Sequence, residues 1–202
     1  MKRLLTFVLI AMAVGANAQF GMGTSMFDES YRPFAVIQRR DVRVELKVTP
    51  EQSKQIDGLI QAFANQPKSK TPAAGLAFSG AIDKTEKDIL AVLNDEQRQR
   101  LSEIRVQIKG ATSLSDDDVA TELKLTDDQK ASIKKRRSEA TSQLVRELQK
   151  PKHGQLDKVM EDISKQEEKD LLAMLTDDQR DSLTKLAGKP FKDARPKGMW
   201  PI

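Results

Sequence analysis

The feature that most limits what this chain can fold into is an internal repeat. Glu45-Leu-Lys-Val-Thr-Pro-Glu-Gln52 returns as Glu122-Leu-Lys-Leu-Thr-Asp-Asp-Gln129, and Ile82–Leu101 returns, in the same order, as Ser164–Leu183. In that second match Glu86-Lys87-Asp88 becomes Glu168-Lys169-Asp170 and Leu90-Ala91 becomes Leu172-Ala173. Leu93, Asp95, Gln97, Arg98 and Leu101 become Leu175, Asp177, Gln179, Arg180 and Leu183. A sequence that matches itself twice in order is one structural unit used twice. The two matches are spaced slightly differently, which places a loop of unequal length between them.

Apolar residues recur at helical spacing in both copies. In the first, Ile56, Leu59, Ile60 and Phe63 share one face of a helix from about Pro50 to Asn65. The segment Gln66–Gly75 holds the breakers Pro67, Pro72 and Gly75 and reads as a linker. A second helix carries Phe78, Ile82, Ile89, Val92 and Leu93. A third carries Leu101, Ile104 and Ile108 and stops near Gly110. In the second copy Ile133, Ala140, Leu144 and Leu148 mark the first helix, and Pro151–Gly154 breaks it. Leu156, Val159, Met160, Ile163, Leu171 and Met174 mark the next. Leu183 and Leu186 mark the last, which ends at Gly188 before Pro190. Ser115 followed by Asp116, Asp117 and Asp118 predicts a short capped helix leading into the second copy, since acidic groups suit the positive end of a helix.

Composition decides how such helices can pack. Charged residues make up 32% of the chain and aromatics 4%, so the core is thin and the solvated faces are wide. The expected fold is all-α: two tandem helical-hairpin units of short bent amphipathic helices, with loose termini. Residues 34–110 form unit one and 111–188 form unit two. A flexible segment at 19–33 precedes them and a flexible tail at 189–202 follows. Each unit alone has a marginal core. The expectation is that the two pack as a pseudo-dimer, with Ile56, Leu59 and Phe63 and Ile133, Ala140 and Leu144 contributing to one shared core or two adjoining ones.

Residues 1–18 read as a secretory signal peptide. Lys2 and Arg3 precede the apolar run Leu4–Val14, which is too short to span a bilayer, and Ala16-Asn17-Ala18 is a small-x-small cleavage site. The mature chain then starts near Gln19 and is periplasmic or secreted. No other run approaches membrane length, so no stable membrane insertion is expected after cleavage. Loss of Lys2 and Arg3 takes the formal charge from +4 to +2, a near-neutral balance that gives no mandate for nucleic acid.

One short element occurs four times: Val48-Thr49-Pro50-Glu51-Gln52, Leu93-Asn94-Asp95-Glu96-Gln97, Leu125-Thr126-Asp127-Asp128-Gln129 and Leu175-Thr176-Asp177-Asp178-Gln179. Each is a capping box. Thr or Asn accepts from the third helical N–H, and Gln three residues on reaches back to the cap residue's own N–H. Pro50 sits where its missing N–H costs nothing. Asn94 and Thr176 follow apolar helical runs without an intervening Gly or Pro, so each predicts a tight corner between two helices.

These motifs resemble those of the LTxxQ family of bacterial periplasmic proteins, which includes the Spy- and CpxP-type stress chaperones. The resemblance rests on the four motifs, the signal and the helical patterning of residues 45–188. It carries over at Val48, Thr49, Gln52, Leu93, Asn94, Gln97, Leu125, Thr126, Gln129, Leu175, Thr176 and Gln179. The chain has four motifs where such proteins typically have two, and it lacks a His-rich or strongly Met-rich terminus. The resemblance implies bent helices in a cradle-shaped dimer, or here a monomeric pseudo-dimer, that holds unfolding protein clients without ATP or restrains an envelope partner.

Little else in the sequence points to chemistry. His153 is the only histidine and there is no cysteine, so a zinc or copper site of the usual nitrogen and sulfur ligands cannot be assembled within one chain. Asp116-Asp117-Asp118 lacks the Gly and terminal Glu of an EF-hand loop, and helix capping suits it better. Gly75 and Gly80 have P-loop spacing, but Ala81 and Ile82 stand where Lys and Ser or Thr are required. No catalytic residue, metal ligand or cofactor-binding residue is assigned, and no enzyme activity or cofactor is expected. Lys134-Lys135-Arg136-Arg137 is the densest basic run. It reads as a solvated face, or as part of a basic surface meeting acidic clients. Two functions remain: a chaperone-like or envelope-stress binding protein, and a structural or regulatory module with one dedicated envelope partner.

Overall fold

The computed structural model describes residues 32–65, 72–149 and 156–192, without the side chains of 72–79, 148, 156 and 157. Every regular element among them is helical. α1 (Pro33–Val36) and α2 (Arg40–Glu45) lead into α3 (Pro50–Ala64), α4 (Pro72–Val92) and α5 (Asp95–Lys109). A 3₁₀ turn (Gly110–Ser115) and α6 (Asp117–Glu122) then lead into α7 (Asp127–Leu148), α8 (Leu156–Ala173) and α9 (Asp177–Ala187). Residues 1–18, read above as a signal peptide, residues 19–31, His153 and residues 193–202 lie outside the described residues.

The repeat of the sequence is a repeat of form. α3 pairs with α4 as one hairpin and α7 with α8 as the other. The short lead helix of each unit ends in the same way. Lys47 and Lys124 adopt φ 51°, a left-handed conformation usually left to glycine. Val48 N–H then bonds to Arg43 O and Lys47 N–H to Val44 O, and Leu125 and Lys124 make the matching bonds to Ala120 and Thr121, all at 3.0 Å. These are Schellman turns, which aim the chain from the lead helix straight into the next capping box. The repeat also reaches further back than the sequence shows. α1 packs on α4 and α5, and the 3₁₀ turn packs on α7 and α8. Ile37 and Leu114 seal the two cores at equivalent places, at 0% and 1% exposure, although the segments around them share no motif.

Four boundaries differ from expectation. α4 begins at Pro72, so the linker is shorter than Gln66–Gly75 and Gly75 lies inside the helix. A proline in the first turn interrupts no helical hydrogen bond. The cap of α6 is Asp116 and not Ser115, and its carboxylate makes no capping bond. It is bound instead to Lys109 and lies 3.6 Å from Arg105, while Ser115 Oγ donates to Thr112 O. At the termini, Arg32 pairs with Asp83 and Glu86 and Pro33 is buried, so the last two residues of the segment 19–33 are held in the fold. Residues 189–192, expected in the loose tail, are held as well.

The reason for that last difference is the way the units join. There are two adjoining cores, each borrowing from the other unit. Val106 of α5 packs into the unit-two core with Leu114, Leu123, Ile133, Leu171 and Leu183. Phe191, beyond α9, packs into the unit-one core with Ile37, Ile56, Ile89, Leu93 and Ile104. α5 and α9 lie against each other, each pointing toward the other's unit. Gln107 locks the crossing: its Nε2 donates to Lys189 O at 2.7 Å and also to Ala187 O, and its Oε1 accepts from Phe191 N–H at 2.7 Å. Gly188 turns the chain at φ +62°, with the Glu103 side chain where a Cβ would stand. Arg39 lies over the Phe191 ring, 5.6 Å from its centroid.

Replacing Phe191 by Ala should therefore destabilise the fold by about 3 kcal/mol. The damage should fall on unit one, although residue 191 follows unit two in sequence. Amide hydrogen exchange in the variant should rise first in α1, α2 and α4; loss of protection confined to unit two would contradict the crossed cores.

Candidate functional site

The four motifs meet in pairs, and the pairing carries more than helix capping. All four capping boxes are present, with Thr49, Asn94, Thr126 and Thr176 accepting from Gln52, Gln97, Gln129 and Gln179 N–H. Each glutamine Oε1 accepts in return from the cap residue's N–H at 3.0 Å. That leaves each Nε2 with two protons to place. Gln52 Nε2 donates to Gln97 Oε1 at 2.8 Å and Gln97 Nε2 donates back to Gln52 Oε1 at 3.0 Å. The remaining protons go to Val92 O at 2.9 Å and Leu46 O at 3.1 Å. In unit two, Gln129 and Gln179 repeat the exchange at 2.8 and 3.1 Å and reach Met174 O at 2.8 Å and Leu123 O at 3.3 Å.

Each unit is thus closed at its base by a reciprocal pair of primary amides. The pair joins the start of the hairpin to its end, and each amide satisfies a carbonyl at the end of the helix that leads into the other motif. Sequence reasoning assigned the glutamines to their own helices and missed this role. A carboxylate could complete the capping box, but it could not donate to the carbonyls or to the opposite Oε1. The apolar residues that begin the motifs sit beneath the clasp: Leu93, Leu125 and Leu175 are buried, and Val48 packs against the unit-one core.

An arginine directly after the second motif of each unit was also missed as a functional element. The Arg98 guanidinium donates to Leu90 O and Leu93 O, and that of Arg180 donates to Leu172 O and Leu175 O. The corners at α4–α5 and α8–α9 expose the last carbonyls of a helix, and the guanidinium takes them up. The signal was present in the identity of Arg98 and Arg180 across the repeat.

The basic run does not form one surface. Lys134 and Lys135 are exposed. Arg136 bonds to Asp170 at 2.7 Å and Arg137 lies 3.6 Å from Glu167, both across the α7–α8 hairpin. Helical spacing sends consecutive residues to different faces, so the run splits into two solvated lysines and two interhelical ties. The hydrogen bond from Arg136 holds the Asp170 carboxyl below the ordinary carboxylate range.

Two surfaces remain open. On the distal half of the α7–α8 hairpin, Val145 and Met160 keep 39% and 41% of their surface exposed. The ties Arg136–Asp170 and Arg137–Glu167 set a register in which these two residues stand at the same level of the hairpin. On unit one, an open groove of about 570 Å³ runs between α2 and α3, lined by Arg40, Arg43, Val44, Lys47, Val48 and Ile60 among others. Val44, 70% exposed, forms its rim. Among the described residues no group of three or more His, Cys, Asp or Glu side chains could hold a metal ion, and no helix is long and apolar enough to cross a membrane. The clasp amides are neither acids nor nucleophiles, so what they supply is geometry. No protein-family model, no curated protein and no solved structure matches the chain.

Two outcomes follow from this geometry. Gln97→Glu should cost about 1–3 kcal/mol, the penalty for leaving buried polar groups unpaired, although it preserves the capping-box pattern. Chemical denaturation of the variant measures it, and a cost as small as that of a surface substitution would mean the amide pair is dispensable. The depressed Asp170 carboxyl gives the second. Its contribution is complete above the ordinary carboxylate range and is lost as pH falls through the lowered folded value. Acidification should therefore loosen the α7–α8 hairpin, and Asp170→Asn should flatten that part of the stability profile.

Proposed function

We propose that this chain is an exported protein that holds unfolding clients without ATP, in the manner of the LTxxQ proteins its motifs resemble. The observation that carries the reading is the apolar pair Val145 and Met160, left open on a charged hairpin whose base is fixed by the clasp. Methionine is unbranched and polarizable and adapts to varied apolar partners. Arg146, Lys158, Glu161 and Asp162, next to them in sequence, are exposed, which keeps this end of the hairpin hydrated and offers both signs of charge. A small apolar contact in such a frame suits brief, low-affinity capture of many chains better than tight recognition of one. The four-motif arrangement adds support, since the two crossed units place in one chain what a dimer of two-motif chains would assemble. Clients would be met in the periplasm or outside the cell, as the signal peptide implies.

The mature chain should delay the light scattering of several unrelated, thermally unfolding proteins at near-stoichiometric ratios. Replacing Val145 and Met160 together by Asp should weaken this several-fold and leave the helical circular dichroism signal intact. Absence of any effect on unrelated clients would favour a structural or regulatory module with a dedicated envelope partner. A double variant of unchanged potency would remove the hairpin pair as the contact site.

A further inference from the structure

The repeat supplies an internal control. Whatever both units share, the fold requires; where equivalent surface positions differ, the fold permits either residue. α2 and α6 are equivalent helices, each ending in a Leu cap and a left-handed Lys at φ 51°. Their exposed faces nevertheless differ in kind. Arg40 stands where unit two has Asp117, Val44 where it has Thr121, and Arg43 where it has Ala120. Arg40 and Lys47 are exposed and make no ion pair or side-chain hydrogen bond among the described residues, and the same holds for Glu122. The other charges lining the groove are accounted for: Arg43 lies 2.8 Å from Asp57 and donates to Ser53 Oγ at 2.9 Å. On the neighbouring side Asp41 is held by Arg39 and Glu45 by Arg100. The groove therefore presents two unneutralised cations around an exposed valine. The equivalent helix in the other unit presents Asp117, Asp118 and Glu122, all exposed, around the methyl-bearing Thr121.

We propose that this groove receives the α6 face of a second copy, so that molecules associate head to tail through their unlike ends. The two faces cannot meet within one molecule. The clasp and the Arg100–Glu45 pair hold α2 at the start of α5, and α6 follows the end of α5. Fifteen residues of helix at a rise of about 1.5 Å each stand between them. Between molecules they are complementary: Arg40 and Lys47 face carboxylates, and Val44 meets an uncharged side chain. A symmetric dimer through the groove would instead place Arg40 and Lys47 against their own copies, a like-charge contact that disfavours it. The near-neutral total charge of the chain hides this division into ends of opposite sign and leaves little general repulsion between molecules. A contact between unlike faces leaves one of each free on every dimer, so association continues beyond two copies unless the rotation closes a ring. This inference does not depend on client holding.

The test uses the mature chain, residues 19–202, with weight-average mass followed by light scattering against protein concentration at low and high salt. Mass should rise with concentration at low salt, pass the dimer, and fall back as salt screens the contact. R40E with K47E should weaken association by about tenfold or more, and so should D117K, D118K and E122K together. All of these positions are exposed, and circular dichroism checks that the fold is retained. Each variant carries one sign of charge on both faces. An equimolar mixture of the two should associate again, because each variant then offers the face that the other lacks. A wild-type chain that stays monomeric at low salt would overturn the proposal. So would a discrete dimer indifferent to both sets of substitutions, or two variants that fail to rescue each other. A monomeric chain whose groove binds a glutamate-rich peptide would equally overturn it, by assigning the groove to an external acidic segment.

Discussion

A primary amide can donate and accept at once, and the fold depends on that property at four glutamines. Where a lead helix or a hairpin ends, carbonyl groups are left without helical partners beside the buried leucines of the core. Buried polar groups left unpaired are expensive. The reciprocal pairs Gln52–Gln97 and Gln129–Gln179 meet this need in one stroke, each amide closing its own capping box and supplying a donor to the helix end opposite. The corner arginines complete the work on the outer side. With the base of each hairpin held in this way, the distal halves need little core of their own. That is how a chain with few aromatics and many charges keeps long helices.

The helices were legible in the sequence because their causes are local. Capping boxes, apolar spacing and stop glycines all act within a few residues, and the tight corners at Asn94 and Thr176 followed from them. The clasp was not legible, because the partner of each glutamine lies 45 or 50 positions away and a local pattern cannot name it. Lys47 and Lys124 were equally opaque: a lysine in the left-handed region is specified by the turn around it, where a glycine would have announced itself. Pro72 and Gly75 were overread as breakers, since a proline at a helix start and a glycine within a long helix are both tolerated. Phe191 looked like part of a structureless tail because its partners, Ile37, Ile56 and Ile104, belong to the other end of the chain. The basic run divides between solvent and the hairpin for a reason that is itself local, the spread of consecutive residues around a helix.

Two units built on one plan have been put to unequal use. The buried positions of the plan barely change: Val42 and Val119, Leu46 and Leu123, Ile56 and Ile133, Leu93 and Leu175 are all buried in their respective cores. The surfaces are where the copies part, with a basic, apolar-rimmed groove on one and a carboxylate-rich helix on the other. Even the ties to the hairpins differ. In unit one Phe34 of α1 meets Phe63 of α3 edge to face, and unit two uses arginine–carboxylate pairs between α7 and α8. Duplication has left a rigid base in common and freed the outer faces to diverge.

The crossing of α5 and α9 also has a consequence in time. A chain is made, and threaded through any channel, from its first residue to its last. Unit one is complete in sequence by Lys109, yet its core still lacks Phe191, which comes 82 positions after the end of α5. Until then the unit-one core lacks that ring, and the bonds from Gln107 to Lys189 and Phe191 are not yet made. The first half of the molecule can collapse early but can reach its final packing only when nearly all of the chain has emerged. A fold wired in this order reaches its final packing late, when the Phe191 ring comes home to the unit that was made first.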